Sequence, residues 1–374
     1  MQKIPYLASI LLLIGCITTP NQQKNTIIEP SLQTMIGQMV MVGTRGMTIE
    51  EVSPSFKQQI KEGKIGGIVL FDYDVVKKEF HRNIQSPEQV KGLIKGLQDL
   101  APISLFIAVD QEGGRVNRLK PKYGFPTSVS AQYLGDLDQA DSTKYYAKRT
   151  AETVANLGFN VNFAPATDVN VNPESPAIGK IERSYSADPM QVIKHARLLI
   201  EAQSNKGILS TLKHFPGHGS AQADSHYGVT DVTKYWQEKE LIPFEKLGQL
   251  DQKVAIMTAH VVNQKLDADY PATLSKKIIT GILREQLGFK GIVFSDDMQM
   301  QAVNDQFGFE TILEKSINAG VDVLVFGNNL KYDEMIPTKA IEAISKMVEK
   351  GTISKDRIQQ AYERIKLVKT QLRK

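Results

Sequence analysis

The stretch Gly207-Ile208-Leu209-Ser210-Thr211-Leu212-Lys213-His214-Phe215-Pro216-Gly217-His218-Gly219 makes two opposite demands on the backbone. Gly207 to Leu212 reads as a short buried strand. Pro216, Gly217 and Gly219 break helix and strand patterns alike. The cluster from Lys213 to Gly219 is therefore expected on a loop leaving the strand, where a rigid scaffold holds chemistry-bearing groups. Asp224-Ser225-His226 follows. Residues two apart share one side of an extended segment, which pairs Asp224 with His226. A carboxylate beside an imidazole fixes its tautomer and stabilises its cation, the chemistry of a positioned general acid/base. Two plainer readings stand beside this one. His214, His218, Asp224 and His226 are all metal-ligand types. Asp224 could also simply bond backbone amides in a turn.

Working outward, seven more short apolar runs resemble the one at Ile208–Leu212. They are Met39–Val42, Gly67–Phe71, Leu105–Val109, Phe159–Phe163, Val254–Met257, Ile292–Phe294 and Val321–Phe326. Segments with helical spacing separate most of them, such as Pro189 to Lys206 and Ser275 to Gln286. Strand–helix alternation argues for a parallel sheet, and eight units over roughly 300 residues fit a (β/α)8 TIM barrel of class α/β. The runs end in polar residues: Asp72, Asp110, Asp168 a little downstream, Lys213, His214, His260, Asp296 and Asn328. Barrel enzymes build their sites at those ends, whereas an open sheet binds at one switch point. Ser354 to Leu372 reads as a closing amphipathic helix capped by Thr352 or Ser354. No composition shift divides Ser31 from Lys374, so residues 31–374 are expected to form one barrel domain.

The 374 residues are 41% hydrophobic and 23% charged, with a net charge of +4 and no Lys/Arg block. That is ordinary globular composition, and a nucleic-acid partner is not indicated. The single cysteine, Cys16, excludes an intrachain disulfide. It follows Lys3 and the apolar run Ile10-Leu11-Leu12-Leu13-Ile14, too short to span a membrane and consistent with a secretory signal. Leu13-Ile14-Gly15-Cys16 resembles a bacterial lipobox. The expectation is a lipoprotein signal over residues 1–16, lipidated at Cys16, with residues 17–30 as a polar, flexible tether. Such a protein would be membrane-anchored, facing the periplasm or the cell surface. A plain signal peptide or an uncleaved anchor is the alternative.

Three further motifs carry chemistry. Asp110-Gln111-Glu112-Gly113-Gly114-Arg115-Val116-Asn117-Arg118 mixes carboxylates and guanidinium groups suited to a hydroxyl-rich ligand, with glycines that permit close backbone approach. A loop-tying ion-pair network would look the same. Ile178 to Pro189 contains Arg183 and leads into a helix, so it could be only a helix-entry loop. Ser295-Asp296-Asp297-Met298 offers a nucleophile and a neighbour, a metal pair, or a helix N-cap.

The sequence Lys213–Gly219 with Asp224-Ser225-His226 resembles the signature of the β-N-acetylglucosaminidases of glycoside hydrolase family three. The Asp110–Arg118 stretch and Phe294-Ser295-Asp296-Asp297-Met298 match two more family motifs, in the family's order. The resemblance spans Ser31 to Lys374 and implies a (β/α)8 barrel, with no cofactor and no metal required. It implies Asp296 as the nucleophile, His226 as the acid/base and Asp224 as the group that tunes it. Asp110, Arg118, Arg183, Lys213 and His214 match residues that hold N-acetylglucosamine. A retaining mechanism needs an attacking carboxylate and a proton donor, and a histidine can act as both acid and base near neutrality. The implied substrates are peptidoglycan fragments ending in N-acetylglucosamine, cleaved by a monomer. Transfer to phosphate is an alternative, since a histidine would not repel an anionic acceptor. A lipoprotein that only binds such fragments is another, although both Asp296 and His226 are retained. The chain departs from the family in its lipobox and in the ten residues Asp72 to His81, which separate Phe71 from Arg82-Asn83. Two extra residues also lie between Gly179 and Arg183.

Overall fold

In the computed structural model the eight apolar runs become eight parallel strands. These are β1 Val40–Gly43, β2 Gly67–Val69, β3 Phe106–Val109, β4 Val161–Asn162, β5 Leu209–Phe215, β6 Val254–Thr258, β7 Val293–Asp297 and β8 Val323–Phe326. Each pairs with its neighbours in sequence, and β8 returns to β1 with Val40 opposite Leu324, which closes the barrel. The fold is a single (β/α)8 barrel. Residues 31–374 form one compact unit. The structure describes residue 2 and residues 30–225, 228–250, 254–304 and 306–372. The signal and tether expected over residues 1–16 and 17–30, with Cys16, lie outside the described residues except for residues 2 and 30. No helix among the described residues is long and apolar enough to cross a membrane.

Local chemistry accounts for the surrounding helices. Pro54–Lys61, Pro87–Leu100 and Pro189–Ser204 each begin with a proline, whose missing N–H costs nothing in the first turn. Ser53, Ser86 and Asp188 precede them and accept backbone N–H groups through their side chains. The segment Lys277–Gln286 winds as a π-helix. The closing helix Lys355–Leu372 is entered through Ser354, whose hydroxyl accepts the Arg357 N–H at 3.2 Å.

Phe106, Phe163 and Phe294 meet edge to face across the barrel interior, with ring centroids 6.1 and 5.5 Å apart. The N-terminal end of the barrel is sealed by two buried charges. Asp322 receives Arg284 at 2.7 Å, Arg357 at 2.9 Å and Arg364 at 3.0 Å. Lys369 of the closing helix donates to Gln38 Oε1 and Gly66 O, both at 2.7 Å. Both groups are saturated and face away from the strand ends where the loops gather, as structural charges do.

Two expectations change. β5 does not stop at Leu212 but runs to Phe215, so Lys213 and His214 stand on a strand and not on a loop. β4 is only two residues long, because side chains replace part of its ladder. Asn160 bonds Leu105 O and Ile107 N, and Asn162 bonds Gln111 O and N. The insertion after β2 folds into an antiparallel hairpin, Tyr73–Asp74 against Glu79–Phe80.

Candidate active site

A cavity of about 210 Å³ opens at the C-terminal ends of the strands. Asp110 after β3, Lys213 and His214 of β5, and Asp296 of β7 all reach it, along with Arg118, Arg183 and Asp224 from loops. Phe71, Val116 and Phe163 supply apolar wall.

Its floor is an ion-pair network. Lys213 is only 2% exposed and lies 2.8 Å from Asp110 and 2.7 Å from Glu112. Arg183 grips Glu112 with Nε to Oε2 at 2.9 Å and Nη2 to Oε1 at 2.7 Å. Arg118 approaches Asp110 at 3.7 Å and Asp72 at 4.0 Å. Burial alone would raise the carboxyls of Asp110 and Glu112. The cations win: Lys213 and Arg118 hold Asp110 below its usual range, and Arg183 and Lys213 do the same for Glu112. Burial opposes the Arg183 cation too, yet Glu112 keeps it charged. The result is a fixed array of charged donors and acceptors, suited to a ligand rich in hydroxyl and amide groups.

Asp168 organises the next layer. Its carboxylate accepts the His214 backbone N–H at 3.1 Å and the His218 backbone N–H at 2.7 Å, and Oδ2 lies 2.8 Å from His214 Nδ1. Burial would raise it, but His214 and these bonds lower it. A carboxylate only accepts and a guanidinium only donates. His214 therefore carries its proton on Nδ1 and accepts from Arg183 at Nε2, 3.2 Å away. The peptide bond joining Lys213 to His214 is cis. His218 is buried with its Nε2 3.2 Å from Ser225 Oγ; burial first, then His214, pushes it down to about 4, so it is neutral.

At the end of β7 the adjacent carboxylates differ in environment. Asp297 Oδ1 accepts backbone N–H groups from Gly327 at 2.9 Å and Gln299 at 3.0 Å. A Cβ at position 327 would sit 2.5 Å from Asp297 Oδ2, so any larger residue there would push this carboxylate aside. Asp296 Oδ1 accepts the Asp297 N–H at 2.8 Å, and Asp296 lines the cavity. His260 donates from Nε2 to Asp297 O at 3.0 Å, steadying the turn.

Residues 31–368 match the model described as the glycosyl hydrolase family 3 N-terminal domain. The chain belongs to glycosyl hydrolase family 3. A beta-hexosaminidase of Tolumonas auensis is 35% identical over 286 residues, covering 75% of this chain and 80% of that one. Beta-hexosaminidase A of Pseudoalteromonas piscicida is 31% identical over 344 residues, covering 85% of this chain and 55% of its own length. Among solved structures, a family 3 β-N-acetylglucosaminidase from Paenibacillus sp. FPU-7 superposes with a TM-score of 0.82 at 30% identity, over 92% of this chain and 63% of that one. The chain thus spans little more than half the length of one of these relatives and four-fifths of another.

In this family 3 barrel, Asp110, Arg118, Arg183, Lys213, His214, Asp224 and Asp296 all line the one cavity. Arg183 reaches it despite the two extra residues before it. His226 lies outside the described residues. Among the described residues no group of three or more His, Cys, Asp or Glu side chains could hold a metal ion. Sequence reasoning passed over Glu112 and gave Asp168 no role. Glu112 sits two residues beyond Asp110 in a motif already singled out, which was the available signal. Nothing local marks Asp168 as the partner of His214.

Proposed function

We propose that this family 3 barrel is a retaining exo-β-N-acetylglucosaminidase that releases terminal N-acetylglucosamine from peptidoglycan fragments. The carrying observation is a sugar-sized cavity where Asp296 meets the fixed charges of Asp110, Arg118, Arg183, Lys213 and His214. The names of the relatives point the same way.

In this reading Lys213, Arg118 and Arg183 donate to the sugar's oxygens, and Asp110 accepts from its hydroxyls. Because these groups already lock one another, they hold the ring without reorganising. Asp296 attacks the anomeric carbon as the bond to the leaving oxygen breaks, giving a glycosyl-enzyme. His226, supported by Asp224, protonates that oxygen. The same imidazole then takes a proton from water, and the water attacks the anomeric carbon and frees Asp296. Asp297 does not serve as nucleophile in this scheme, since two backbone amides already claim its Oδ1.

Peptidoglycan as the source of the sugar is what the family resemblance implies, and the lipobox at Cys16, which would hold the enzyme at the cell envelope, supports it. Turnover of a chromogenic N-acetylglucosaminide, with and without phosphate, tests the activity. Release of free N-acetylglucosamine in both conditions is expected. A sugar phosphate formed only with phosphate would show the phosphorylase alternative, and no turnover would leave a binding protein.

A further inference from the structure

The loop after β5 has two parts that are held differently. The first, Pro216 to Ala221, is bound through its backbone to the loop after β4. Buried Asp168 accepts the His218 N–H at 2.7 Å, and the Gly219 carbonyl accepts the Asn172 N–H at 2.9 Å. The Asn172 side-chain amide donates to Ala221 O at 2.9 Å, and Trp236 Nε1 donates to Pro216 O at 3.0 Å. A Cβ on Gly219 would collide with Val169 O, so the two backbones lie as close as they can.

The second part carries Asp224 and Ser225, which both line the sugar cavity. Among the described residues the Ser225 hydroxyl has one hydrogen-bond partner, His218 Nε2 at 3.2 Å. His218 and Ser225 are each only 2% exposed, so water competes little for this bond. His218 suits the task. Its ring rests edge to face on His214, with centroids 5.6 Å apart, and its backbone is fixed by Asp168. A neutral imidazole needs no counter-ion when buried, and a hydroxyl can pair with Nε2 as donor or as acceptor. Asp168 also holds the His214 ring at 2.8 Å, so one carboxylate sets the sugar-binding histidine and the base of this bond together.

We infer that His218 is a positioning residue: its bond to Ser225 latches the Asp224 segment to the rigid part of the loop and so places proton donation at the edge of the sugar cavity. The inference rests on the glycosidase reading above, in which this segment supplies the acid/base.

The test is a double-mutant cycle of Ser225→Ala and His218→Leu in the full chain. It is read on N,N′-diacetylchitobiose, whose leaving sugar needs a proton, and on a dinitrophenyl N-acetyl-β-glucosaminide, whose leaving group needs none. Each single variant should lower kcat on the disaccharide by up to about 10²-fold, the cost of a small misplacement of a reacting group. KM should change little, and the loss on the aryl glycoside should be far smaller. The double variant should lose no more than the worse single one, because both remove the same bond. Ser225→Thr, which keeps the hydroxyl, should retain most of the activity. Equal losses on both substrates would mean damage to the fold or the sugar site and would overturn the latch. Additive losses in the double variant would overturn it as well, and so would a raised KM with unchanged kcat, which would make His218 a sugar contact. A wild type that cleaves neither compound would instead refute the glycosidase reading, and the latch with it.

Discussion

Arg183 and Glu112 face each other fork to fork, at 2.9 and 2.7 Å, and the same guanidinium touches His214 at 3.2 Å. One carboxylate from the loop after β3 thus sets the position of two groups that line the sugar cavity, and Lys213 leans on it as well. Glu112→Gln would leave Arg183 and Lys213 buried with half their counter-charge. Removing one partner of a buried pair costs about 3–5 kcal/mol. We expect that loss in urea denaturation, with a raised KM for N-acetylglucosaminides. A variant of wild-type stability and KM would show that the pair is ornamental.

Glu240 gives the fold a pH dependence of its own. Its side chain packs under the loop after β5: a Cβ on Gly217 would meet Glu240 Oε2 at 2.8 Å. Oε1 accepts the Gln237 N–H at 3.2 Å, while Oε2 has no partner of good hydrogen-bonding geometry among the described residues. Burial, with a smaller push from Asp168, raises the carboxyl from 4.5 to about 7. The folded chain therefore keeps a proton that the unfolded chain sheds. Stability from this group is complete below pH 4.5 and falls until about pH 7, by roughly 3 kcal/mol. Glu240→Gln should flatten the decline in urea midpoint from pH 5 to pH 8. An identical slope in the variant would refute the assignment.

Much of this arrangement was legible in the sequence, because it depends on local pattern. All eight strands follow from apolar runs, and Asp110, Lys213, His214 and Asp296 of the cavity follow from the polar groups that end them. The illegible parts are those in which distant side chains override the local signal. Pro216 and two glycines suggest that order ends at Leu212. Lys213 nonetheless extends the strand, because its ammonium is held by Asp110 and Glu112 from the neighbouring loop. β4 shrinks because Asn160 and Asn162 spend their amides on backbone groups of the β3 segment, which no periodicity reveals. Asp168 was visible as a strand-end carboxylate, but its bonds to His214 and His218 are long-range.

The acid/base assignment separates substrates by leaving group. If His226 protonates the departing oxygen, His226→Ala should slow natural disaccharides by about 10²–10⁴-fold. Activated aryl glycosides, which leave without a proton, should suffer far less, and azide should partly restore turnover by attacking the glycosyl-enzyme. Asp224→Asn should lower kcat more than it raises KM. Equal losses on both substrate classes, without azide rescue, would mean that another group supplies the proton.

The anchor rests on Cys16 alone. Cys16→Ser should move the protein from the membrane fraction to the soluble fraction, or leave it unprocessed. Mass spectrometry of the mature wild type should find acyl groups on Cys16. A full-length, unmodified soluble protein would contradict the lipoprotein proposal without touching the chemistry.

The most direct test of the central claim is the site of covalent capture. A slow fluorinated N-acetylglucosaminide should trap the glycosyl-enzyme, and peptide mapping should find the sugar on Asp296. Label on Asp297 would contradict the reading of the two carboxylates at the end of β7. No label on a protein that still turns over the substrate would contradict the retaining mechanism itself.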